Sequence, residues 1–291
     1  MGRSESGYEA RMQRVLAHID DHLGETLTLD RLSAVAAFSK FHFHRQFTAW
    51  TGLPVQDYVQ AARTRLAAFR LAFRADIPVC EIAFDCGYAS PEAFARMFRQ
   101  RTGQTPTAFR ARPDWQRWQA GAKAFERARA LREATAFAVG DVEIVAFKQT
   151  PVAVLEHRGE PARIGETIRR FIAWRKGFGL PPARSATFNL FFADPDAEDG
   201  FRMAFCAATR RQVTANAEGV EAMVIPPGRC ARLRVRGSDG DLRAAVAFLY
   251  GRWLPQSGEE LRDFPLFAQR RAVFPDVPDS ETVTDVLLPV R

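Results

Sequence analysis

The sequence predicts a multidomain chain in which an all-α domain is followed by an α+β domain. Its 291 residues are enough for about two domains. Two helical segments in the first third repeat one another, and the apolar pattern changes to strand-like alternation after Val139. A strand-helix-strand-strand pattern then occurs twice. We expect the all-α domain in residues 1–112, a helical linker in residues 113–138 and the α+β domain in residues 139–291.

The repeated segment of the all-α domain runs from Ser39 to Gly52 and recurs from Ser90 to Gly103. Each copy is predicted to be a short helix, because serine is a favourable N-cap and glycine a favourable helix end. Pro91 stands at the first helical position, where its missing N–H is not needed. The matched positions share one offset: Ser39/Ser90, Phe43/Phe94, Arg45/Arg96, Phe47/Phe98, Thr51/Thr102 and Gly52/Gly103. Repetition of this kind fixes the architecture.

A second short helix and a tight turn precede each copy. The first of these helices begins near Thr28 and ends before Ala37, and the other begins at Val79 and ends before Gly87. Helix, short turn and helix form a helix-turn-helix unit. The duplication and the turn chemistry disfavour the alternative, a generic helical bundle. Further helices are expected at residues 8–22, at residues 54–74 and from Pro106, and the second of these is a spacer with a basic face of Arg63, Arg65 and Arg70.

The charge of the chain fits a polyanionic partner, since the net charge is +7 and the sequence pI is about 9.7. Residues 1–135 hold 20 Lys and Arg against 14 Asp and Glu, whereas the rest hold 21 against 20. Most are arginine, which suits bidentate contacts with phosphate or guanine. Two recognition helices on one rigid spacer can enter successive major-groove turns about 34 Å apart. The predicted partner is double-stranded DNA.

Residues Tyr8 to Arg112 resemble the DNA-binding domain of the AraC/XylS family of transcription regulators. The most specific part runs from Ile82 to Tyr88 as Ile-Ala-Phe-Asp-Cys-Gly-Tyr and continues at the family's spacing to Arg110. The resemblance implies sequence-specific DNA binding, with RNA polymerase as a further partner. By position it places DNA contacts on Ser39, Lys40, Phe41, His44 and Arg45 in the first recognition helix and on Ser90, Pro91, Glu92, Ala95 and Arg96 in the second.

The second recognition helix has the weaker set of DNA-reading side chains. Pro91 and Ala95 offer few donors, and Glu92 repels phosphate unless it accepts from a cytosine amine. We therefore expect the first helix to supply most of the sequence specificity. In that helix His44 is expected to contact DNA, and His42 to meet solvent or a phosphate.

The second half of the chain reads as a duplicated α+β unit. The stretch from Ala153 to Gly159 aligns with the stretch from Ala231 to Gly237, and a helix is predicted after each. The predicted strands are residues 142–147, 152–157, 187–192, 201–207, 231–237, 266–274 and 281–289, the helices are residues 164–174 and 242–253, and an acidic turn lies at 194–200.

The duplicated unit, with its closing strand at residues 284–290, resembles a GyrI-like effector-binding domain, and its pairing with an AraC-type reader resembles the Rob-type regulators. This implies a small-molecule effector in a cleft lined by Glu156, Trp174, Tyr250, Trp253, Phe267, Ala268 and Arg270. Many such domains carry Glu and Tyr at the positions of Ala268 and Arg270. Because a cation in an apolar pocket needs a counter-charge, we expect an anionic or neutral ligand here. Ala268→Glu is expected to raise affinity for lipophilic cations.

Two other functions stay open for the C-terminal half. One is a protein-interaction module of the gyrase-inhibitor kind, and the other is a hydrolase. A hydrolase needs paired acid–base groups, and no Ser/His/Asp or carboxylate pair stands at convincing spacing. His157 is the only histidine after residue 44. We therefore expect no enzyme, no catalytic residue, no metal and no cofactor.

The remaining composition points to a reducing compartment. The cysteines Cys80, Cys86, Cys206 and Cys230 lack metal-ligand spacing and are expected to be buried free thiols. No apolar run reaches transmembrane length, and the N-terminus lacks a signal peptide. We expect a cytoplasmic protein without a membrane partner.

Overall fold

A computed structural model describes residues 2–131, 137–193, 201–237 and 239–291, and of residues 2–9, 41, 130, 193, 239 and 240 it describes the backbone alone. The chain divides into two compact units. The first holds residues 1–134 and 278–280, and the second holds residues 135–277 and 281–291. The predicted acidic turn at 194–200 and residues 132–136 of the predicted linker lie outside the described residues.

The first unit is built from helices. They are α1 (Gly2–Asp21), α2 (Leu29–Ala36), α3 (Lys40–Thr51), α4 (Val55–Phe73), α5 (Val79–Asp85), α6 (Pro91–Thr102), α7 (Pro106–Ala111) and α8 (Trp115–Ala130). α2 and α3 form the first helix-turn-helix, α5 and α6 form the second, and α4 joins them. The predicted double helix-turn-helix arrangement is confirmed.

The two turns are built alike, but the spacing from the left-handed residue to the following serine differs by one residue. Ala37 after α2 has φ 53°, and Gly87 after α5 has φ 74°, so both adopt the left-handed conformation. In each turn this residue and its successor donate to carbonyl oxygens of the preceding helix at 2.8–3.0 Å. Such bonds satisfy carbonyl groups that a helix end leaves open. Ser39 follows two residues after Ala37, whereas Ser90 follows three residues after Gly87.

α8 occupies most of the segment expected as a linker, and it packs into the first unit. Its Phe125 is buried, with the ring centroid 5.0 Å from that of Tyr58 on α4. Its Trp115 lies 5.3 Å from Phe109 on α7. The sequence of this segment is basic and weakly amphipathic, so its aromatic anchors become recognisable only when their partners on other helices are placed. Residues 115–130 therefore form part of the helical unit.

The basic face expected on α4 is used inside the unit. Arg63 is buried and donates to two carbonyl oxygens of the loop after α1, at 3.0 and 2.6 Å. Burial lowers the pKa of Arg63. Arg65 and Arg70 each pair with a carboxylate at 2.5 Å. The three arginines of the basic face expected on α4 are therefore paired with groups of the protein itself.

The second unit contains one antiparallel sheet of eight described strands. They are β1 (Val142–Phe147), β2 (Thr150–Arg158), β3 (Thr187–Ala193), β4 (Arg202–Ala208), β5 (Glu221–Ile225), β6 (Gly228–Arg236), β7 (Phe267–Ala272) and β8 (Val283–Pro289), in the order β1-β6-β8-β7-β3-β4-β2-β5. Its helices are α9 (Ile164–Gly177), α10 (Asp239–Phe248) and α11 (Leu254–Ser257), with a π-helical turn at Leu249–Trp253. The two predicted repeats are confirmed as β2-α9-β3-β4 and β6-α10-β7-β8. The short edge strand β5 was not predicted.

Cross-strand pairing assigns the side chains to two faces of this sheet. Directly paired residues share a face, and neighbours along a strand alternate. One row crosses the sheet as Glu143, Arg232, Leu287, Phe267, Leu190, Ala204 and Glu156. We call this side the Phe267 face. α9 packs on the opposite, helical face around Leu155 and Trp174, and α10 packs on that same face around Leu233 and Trp253.

Three of the four free thiols are buried as expected, but Cys80 is exposed. It lies on the outer side of α5, whose Ile82 and Ala83 face the core. Burial raises the pKa of Cys86 to about 12, so its thiol is protonated at neutral pH.

Within the described ranges, none of the helices combines the length and the apolarity needed to cross a bilayer. The same ranges contain no group of three or more His, Cys, Asp or Glu side chains placed to hold a metal ion.

Candidate nucleic-acid interface and ligand face

α3 presents the first set of predicted DNA contacts. Phe43 and Phe47 are fully buried with ring centroids 5.6 Å apart, and they fix one side of the helix against the core. His44 and Arg45 are consequently on the outer side, and both are exposed, as is His42. This arrangement directs imidazole and guanidinium donors away from the core, where a partner can meet them.

Three of the predicted DNA contacts lie at the start of α3. Lys40 forms an ion pair with the carboxylate of Asp30, so part of its charge is neutralised within the protein. Ser39 is exposed, and its side chain makes no capping hydrogen bond. The side chain of Phe41, which was expected to contact DNA, lies outside the described residues.

α6 repeats the construction of α3. Phe94 and Phe98 are fully buried with ring centroids 5.5 Å apart, and Arg96 is exposed at the position that corresponds to Arg45. The Ser90 hydroxyl accepts a hydrogen bond from an N–H of the first turn at 3.2 Å. Ser90 therefore acts as the N-cap that the sequence predicts.

The remaining predicted contacts of α6 offer little to a nucleic acid. Pro91 and Ala95 are half-buried. A hydrogen bond from its own backbone N–H, and a second from the Ser90 hydroxyl, lower the pKa of Glu92. Glu92 is therefore ionised at neutral pH and places a negative charge at the start of this helix.

Both recognition helices end in the same way. The hydroxyl groups of Thr51 and Thr102 each donate to a carbonyl oxygen four residues earlier at 2.8 Å, and each accepts from an N–H two residues later at 3.2 Å. Gly52 and Gly103 follow in the left-handed conformation, with φ 73° and 77°. The duplication in the sequence is thus a duplication of backbone geometry.

The predicted ligand residues are not brought together at one surface. Trp174 belongs to the cluster around α9 and Trp253 to the cluster around α10, both on the helical face. Phe267 lies on the opposite face, and Tyr250 is 42 % exposed. The expectation of one cleft lined by all four rings is therefore wrong, because the sheet separates them.

Ala268 and Arg270 also lie on the helical face. Ala268 is fully buried and pairs with Val286, which belongs to the α10 cluster. The Nε of Arg270 donates to Asn189 at 2.8 Å. Ala268→Glu is therefore expected to destabilise the second unit and not to raise cation affinity, since the new carboxylate would enter the apolar core, where burying an unpaired charge is costly.

Glu156 lies on the Phe267 face and lines a cavity of about 610 Å³ near the start of α9. Hydrogen bonds from Arg202 and Arg158 lower the pKa of Glu156 despite its partial burial. His157, also at this cavity, is buried. Its Nδ1 lies 2.8 Å from the Thr167 hydroxyl, and its Nε2 lies 3.1 Å from a backbone carbonyl oxygen. One ring nitrogen of His157 thus contacts α9, and the other contacts the loop that follows β2.

A carboxylate on the Phe267 face was missed in the sequence. Asp285 on β8 is 1 % exposed and accepts two hydrogen bonds from Arg234, at 2.7 and 3.0 Å, and one from Arg271 at 3.0 Å. Burial acts to raise the pKa of Asp285, but the hydrogen bonds from the two arginines outweigh it and hold the pKa below its usual value. The available signal was the alternation of arginines on β6: Arg232, Arg234 and Arg236.

The lowered pKa of Asp285 predicts a loss of stability in acid. A depressed folded-state pKa gives stability that is complete above the unfolded-state pKa of about 3.9 and is lost as the pH falls through the folded-state value. The free-energy difference of unfolding between wild type and Asp285→Asn is therefore expected to be constant above about pH 5 and to shrink below about pH 4. Urea unfolding between pH 3 and pH 7 measures it.

The exposed Asp263 supplies the control for this experiment. Asp263→Asn removes an exposed carboxylate instead of a buried one, and its free energy of unfolding is measured over the same pH range. A wild-type advantage over Asp285→Asn that stays constant down to pH 3 would show that the carboxylate of Asp285 is not the titrating group.

Comparisons with known proteins agree with this division of the chain. Residues 140–291 match the family described as a GyrI-like small molecule binding domain, and residues 32–112 match a helix-turn-helix domain. The chain is 33 % identical over 153 residues to the probable transcriptional regulator YgiV of Escherichia coli strain K12, a match that covers 52 % of this chain and 96 % of YgiV. It is 34 % identical over 101 residues to the regulatory protein SoxS of the same strain, covering 35 % of this chain and 94 % of SoxS.

A solved structure of the DNA-binding domain of AdpA in complex with a target DNA is also similar, at 33 % identity and a TM-score of 0.33, covering 35 % of this chain and 96 % of that chain. The C-terminal match spans more than half of the chain, and the N-terminal half carries the duplicated helix-turn-helix described above. The chain belongs to the GyrI-like small molecule binding family and joins that domain to an AraC-type helix-turn-helix domain, the composition of an AraC-type transcriptional regulator.

Proposed function

We propose that this protein regulates transcription by binding double-stranded DNA through α3 and α6 and by responding to a small molecule in its C-terminal unit. The observation that supports this most is the duplicated helix-turn-helix, in which Arg45 and Arg96 are exposed at equivalent positions of two recognition helices. A guanidinium group can donate to O6 and N7 of guanine at once, so each arginine suits base reading in a major groove.

The shared core supports a fixed spacing between the two recognition helices. Phe47 of α3 reaches Phe125 of α8 through one tyrosine ring, with centroid distances of 5.6 and 5.0 Å. Phe98 of α6 reaches Trp115 of α8 through one phenylalanine ring, with two centroid distances of 5.3 Å. Both recognition helices are thus connected to α8 through packed aromatic rings. A fixed spacing lets one chain read two successive major-groove turns, about 34 Å apart.

α3 supplies most of the sequence specificity in this proposal. Its exposed His44 and Arg45 offer hydrogen-bond donors to base edges. The corresponding part of α6 combines Arg96 with the ionised Glu92 and the small Ala95. α6 therefore serves mainly to contact the second major groove and to fix the position of the protein along the duplex.

The regulatory response requires a ligand that binds two states of the protein with different affinity, because only differential affinity shifts an equilibrium. In our proposal the GyrI-like unit binds this effector. Binding then changes either the affinity of the first unit for its operator or its contact with RNA polymerase.

Selection of bound fragments from random duplex DNA tests the proposed function directly. The selection is performed with and without a mixture of metabolites and drugs. Two conserved blocks about one helical turn apart are the expected result, and a change on adding the mixture is expected for a sensor. Absence of any enriched sequence at moderate salt would contradict DNA regulation and would leave a protein-interaction module or a hydrolase as the function to test next.

Arg45→Ala is expected to weaken binding to the selected site by about 1–3 kcal/mol and to relax one base position, because the variant loses a bidentate base contact. Titration of selected and random duplexes at one salt concentration measures both effects. Arg127→Ala removes an exposed arginine of α8 and is the control, with no change expected in base preference. If Arg45→Ala binds both duplexes as the wild type does, α3 is not the main reader.

A further inference from the structure

The connection between β7 and β8 contributes a short segment to the first unit. Residues 278–280 belong to that unit, whereas the chain on either side of them belongs to the second. We call residues 278–280 the inserted segment. Its Asp279 begins a short 3₁₀ turn and is 4 % exposed. A carboxylate that is buried to this extent needs partners of opposite charge.

Two arginines from different helices hold the carboxylate of Asp279. Its Oδ2 accepts a hydrogen bond from Arg65 on α4 at 2.5 Å and another from Arg129 on α8 at 3.0 Å. The side chains of the two arginines are only 13 % and 8 % exposed. Charge-assisted hydrogen bonds are strong, and they are screened little when they are withdrawn from water. Asp279 therefore ties α4 to α8.

The charge of Asp279 matters most to Arg129. Burial acts to lower the pKa of Arg129, but the negative charges of Asp279, Glu126 and Asp20 outweigh it and hold the pKa above its usual value, with Asp279 as the largest of the three. Glu126 accepts from Arg129 at 3.0 Å, but its side chain is 42 % exposed, so water competes for it. Loss of the Asp279 charge would deprive a buried guanidinium group of its largest stabilising contact, which is costly.

The two arginines lie near an aromatic contact that supports the first recognition helix. Arg129 follows Phe125 by one turn of α8, and Arg65 follows Tyr58 by two turns of α4. The rings of Phe125 and Tyr58 are 5.0 Å apart, and Tyr58 in turn packs on Phe47 of α3. A charge that holds α4 and α8 together at this point also holds the support of α3.

The chain re-enters the second unit directly after the inserted segment. Thr282 is buried, its carbonyl oxygen accepts from the N–H of Gly237 at 3.1 Å, and its hydroxyl donates to the carbonyl oxygen of Gly237. β8 begins at the next residue. Three residues span at most about 10 Å when fully extended, so the slack between Asp279 and β8 is small. A displacement at the start of β8 is therefore felt at Asp279.

We propose that Asp279 is a positioning residue of the first unit, contributed by the C-terminal half of the chain, and that it transmits changes at β8 to α4 and α8. In the docked state the inserted segment holds both helices. In the released state Arg65 and Arg129 lose this partner and α8 loosens. The proposal rests on the proposed function, because the recognition helices supported by α8 are its output.

Hydrogen exchange of the full chain tests the link between Asp279 and α8. Asp279→Asn removes the charge at nearly constant size, so the last amides of α8 are expected to exchange about a hundredfold faster, as loss of one partner of a buried ion pair implies. Glu281→Gln removes an exposed carboxylate two residues later and is the matched control, with no change expected in α8. Unchanged exchange in α8 of Asp279→Asn would overturn the proposal.

DNA titration separates positioning from a general loss of stability. At a temperature where Asp279→Asn is folded, its affinity for the selected operator is expected to fall about tenfold, comparable to the loss of one base contact. The loss on random duplex DNA is expected to be smaller, because only a two-block site requires a fixed spacing of α3 and α6. Asp279→Glu keeps the charge and is expected to restore part of the discrimination. Equal losses on both duplexes would overturn the positioning role.

A pair of substitutions in the second unit tests the transmission from β8. Thr282→Val removes the hydroxyl that bonds to Gly237, whereas Thr282→Ser keeps it. Thr282→Val is expected to speed exchange at the end of α8 by up to about tenfold, as one lost hydrogen bond implies, and Thr282→Ser is expected to leave it unchanged. Equal exchange in α8 of the two variants would overturn the transmission.

The wild-type chain supplies a test that does not depend on the folding of a variant. Binding of the selected operator is expected to slow amide exchange at residues 279–280 together with that of α8, because both belong to one unit. Slowing in α8 alone would overturn the proposal. Failure to select any operator would remove the proposed function, whereas faster exchange in α8 of Asp279→Asn would still establish Asp279 as the residue that orders this helix.

Discussion

Gly87→Ala is expected to destabilise the first unit by about 3 kcal/mol, near the upper end of ordinary single substitutions. A Cβ at this position would lie 2.5 Å from the carbonyl oxygen of Leu23 and 2.5 Å from Nη2 of Arg63. The backbone oxygen cannot withdraw easily, because Arg63 itself donates to it at 3.0 Å. The left-handed backbone, with φ 74°, adds a cost of about 1–2 kcal/mol for any residue with a Cβ.

Gly52 provides a matched control for Gly87→Ala. Its φ is 73°, but a Cβ there would have nothing within 4 Å. Gly52→Ala is therefore expected to lose only the conformational part, about 1–2 kcal/mol. Urea unfolding followed by circular dichroism compares the two variants. Equal losses would show that the loop after α1 yields to the added methyl group, contrary to the role given to Arg63.

Phe125→Ala is expected to cost about 3–5 kcal/mol of stability, the usual range when a buried phenylalanine is truncated. Phe125 is 3 % exposed, and its ring supports Tyr58, which in turn supports Phe47 of the first recognition helix. The substitution is therefore also expected to weaken binding to a two-block operator more than binding to random duplex DNA. Titrations at a temperature where the variant remains folded measure this difference.

The exposed Phe84 on α5 is the control for Phe125→Ala. Its side chain is 54 % exposed, so Phe84→Ala is expected to change stability by less than about 0.5 kcal/mol. If folded Phe125→Ala discriminated between operator and random DNA as well as the wild type does, α8 would not be needed to position α3.

The recognition helices were predictable from the sequence because their signals are local. A pair of phenylalanines four residues apart and the flanking serine and glycine suffice to define each helix. The packing of α8 was not predictable in this way. Phe125 and Trp115 stand in a polar segment, and Tyr58 and Phe73, on which they pack, come from α4, more than 40 residues earlier in the chain.

The two faces of the sheet were harder to predict because strand orientation depends on pairing with other strands. The sequence indicates that β7 is a strand, but not which of Phe267 and Ala268 faces the helices. That choice follows from the pairing of β7 with β3 and β8. The register between β7 and β8 also shifts between Arg270 and Ala272. Asp285 was missed for the same reason, since Arg234 stands 51 residues before it in the sequence.

The difference between the two helix-turn-helix units gives the bound complex a direction. His44 and Arg45 on α3 correspond to Ala95 and Arg96 on α6, and the serine that begins the recognition helix follows the left-handed turn residue one position sooner in the first unit than in the second. In the proposed binding mode, a single chain with two unequal readers has no two-fold axis, so we expect its operator not to be a palindrome. In this mode we expect the protein to bind the duplex in one orientation. Inverting the operator in front of a promoter turns the opposite side of the regulator toward the transcription start.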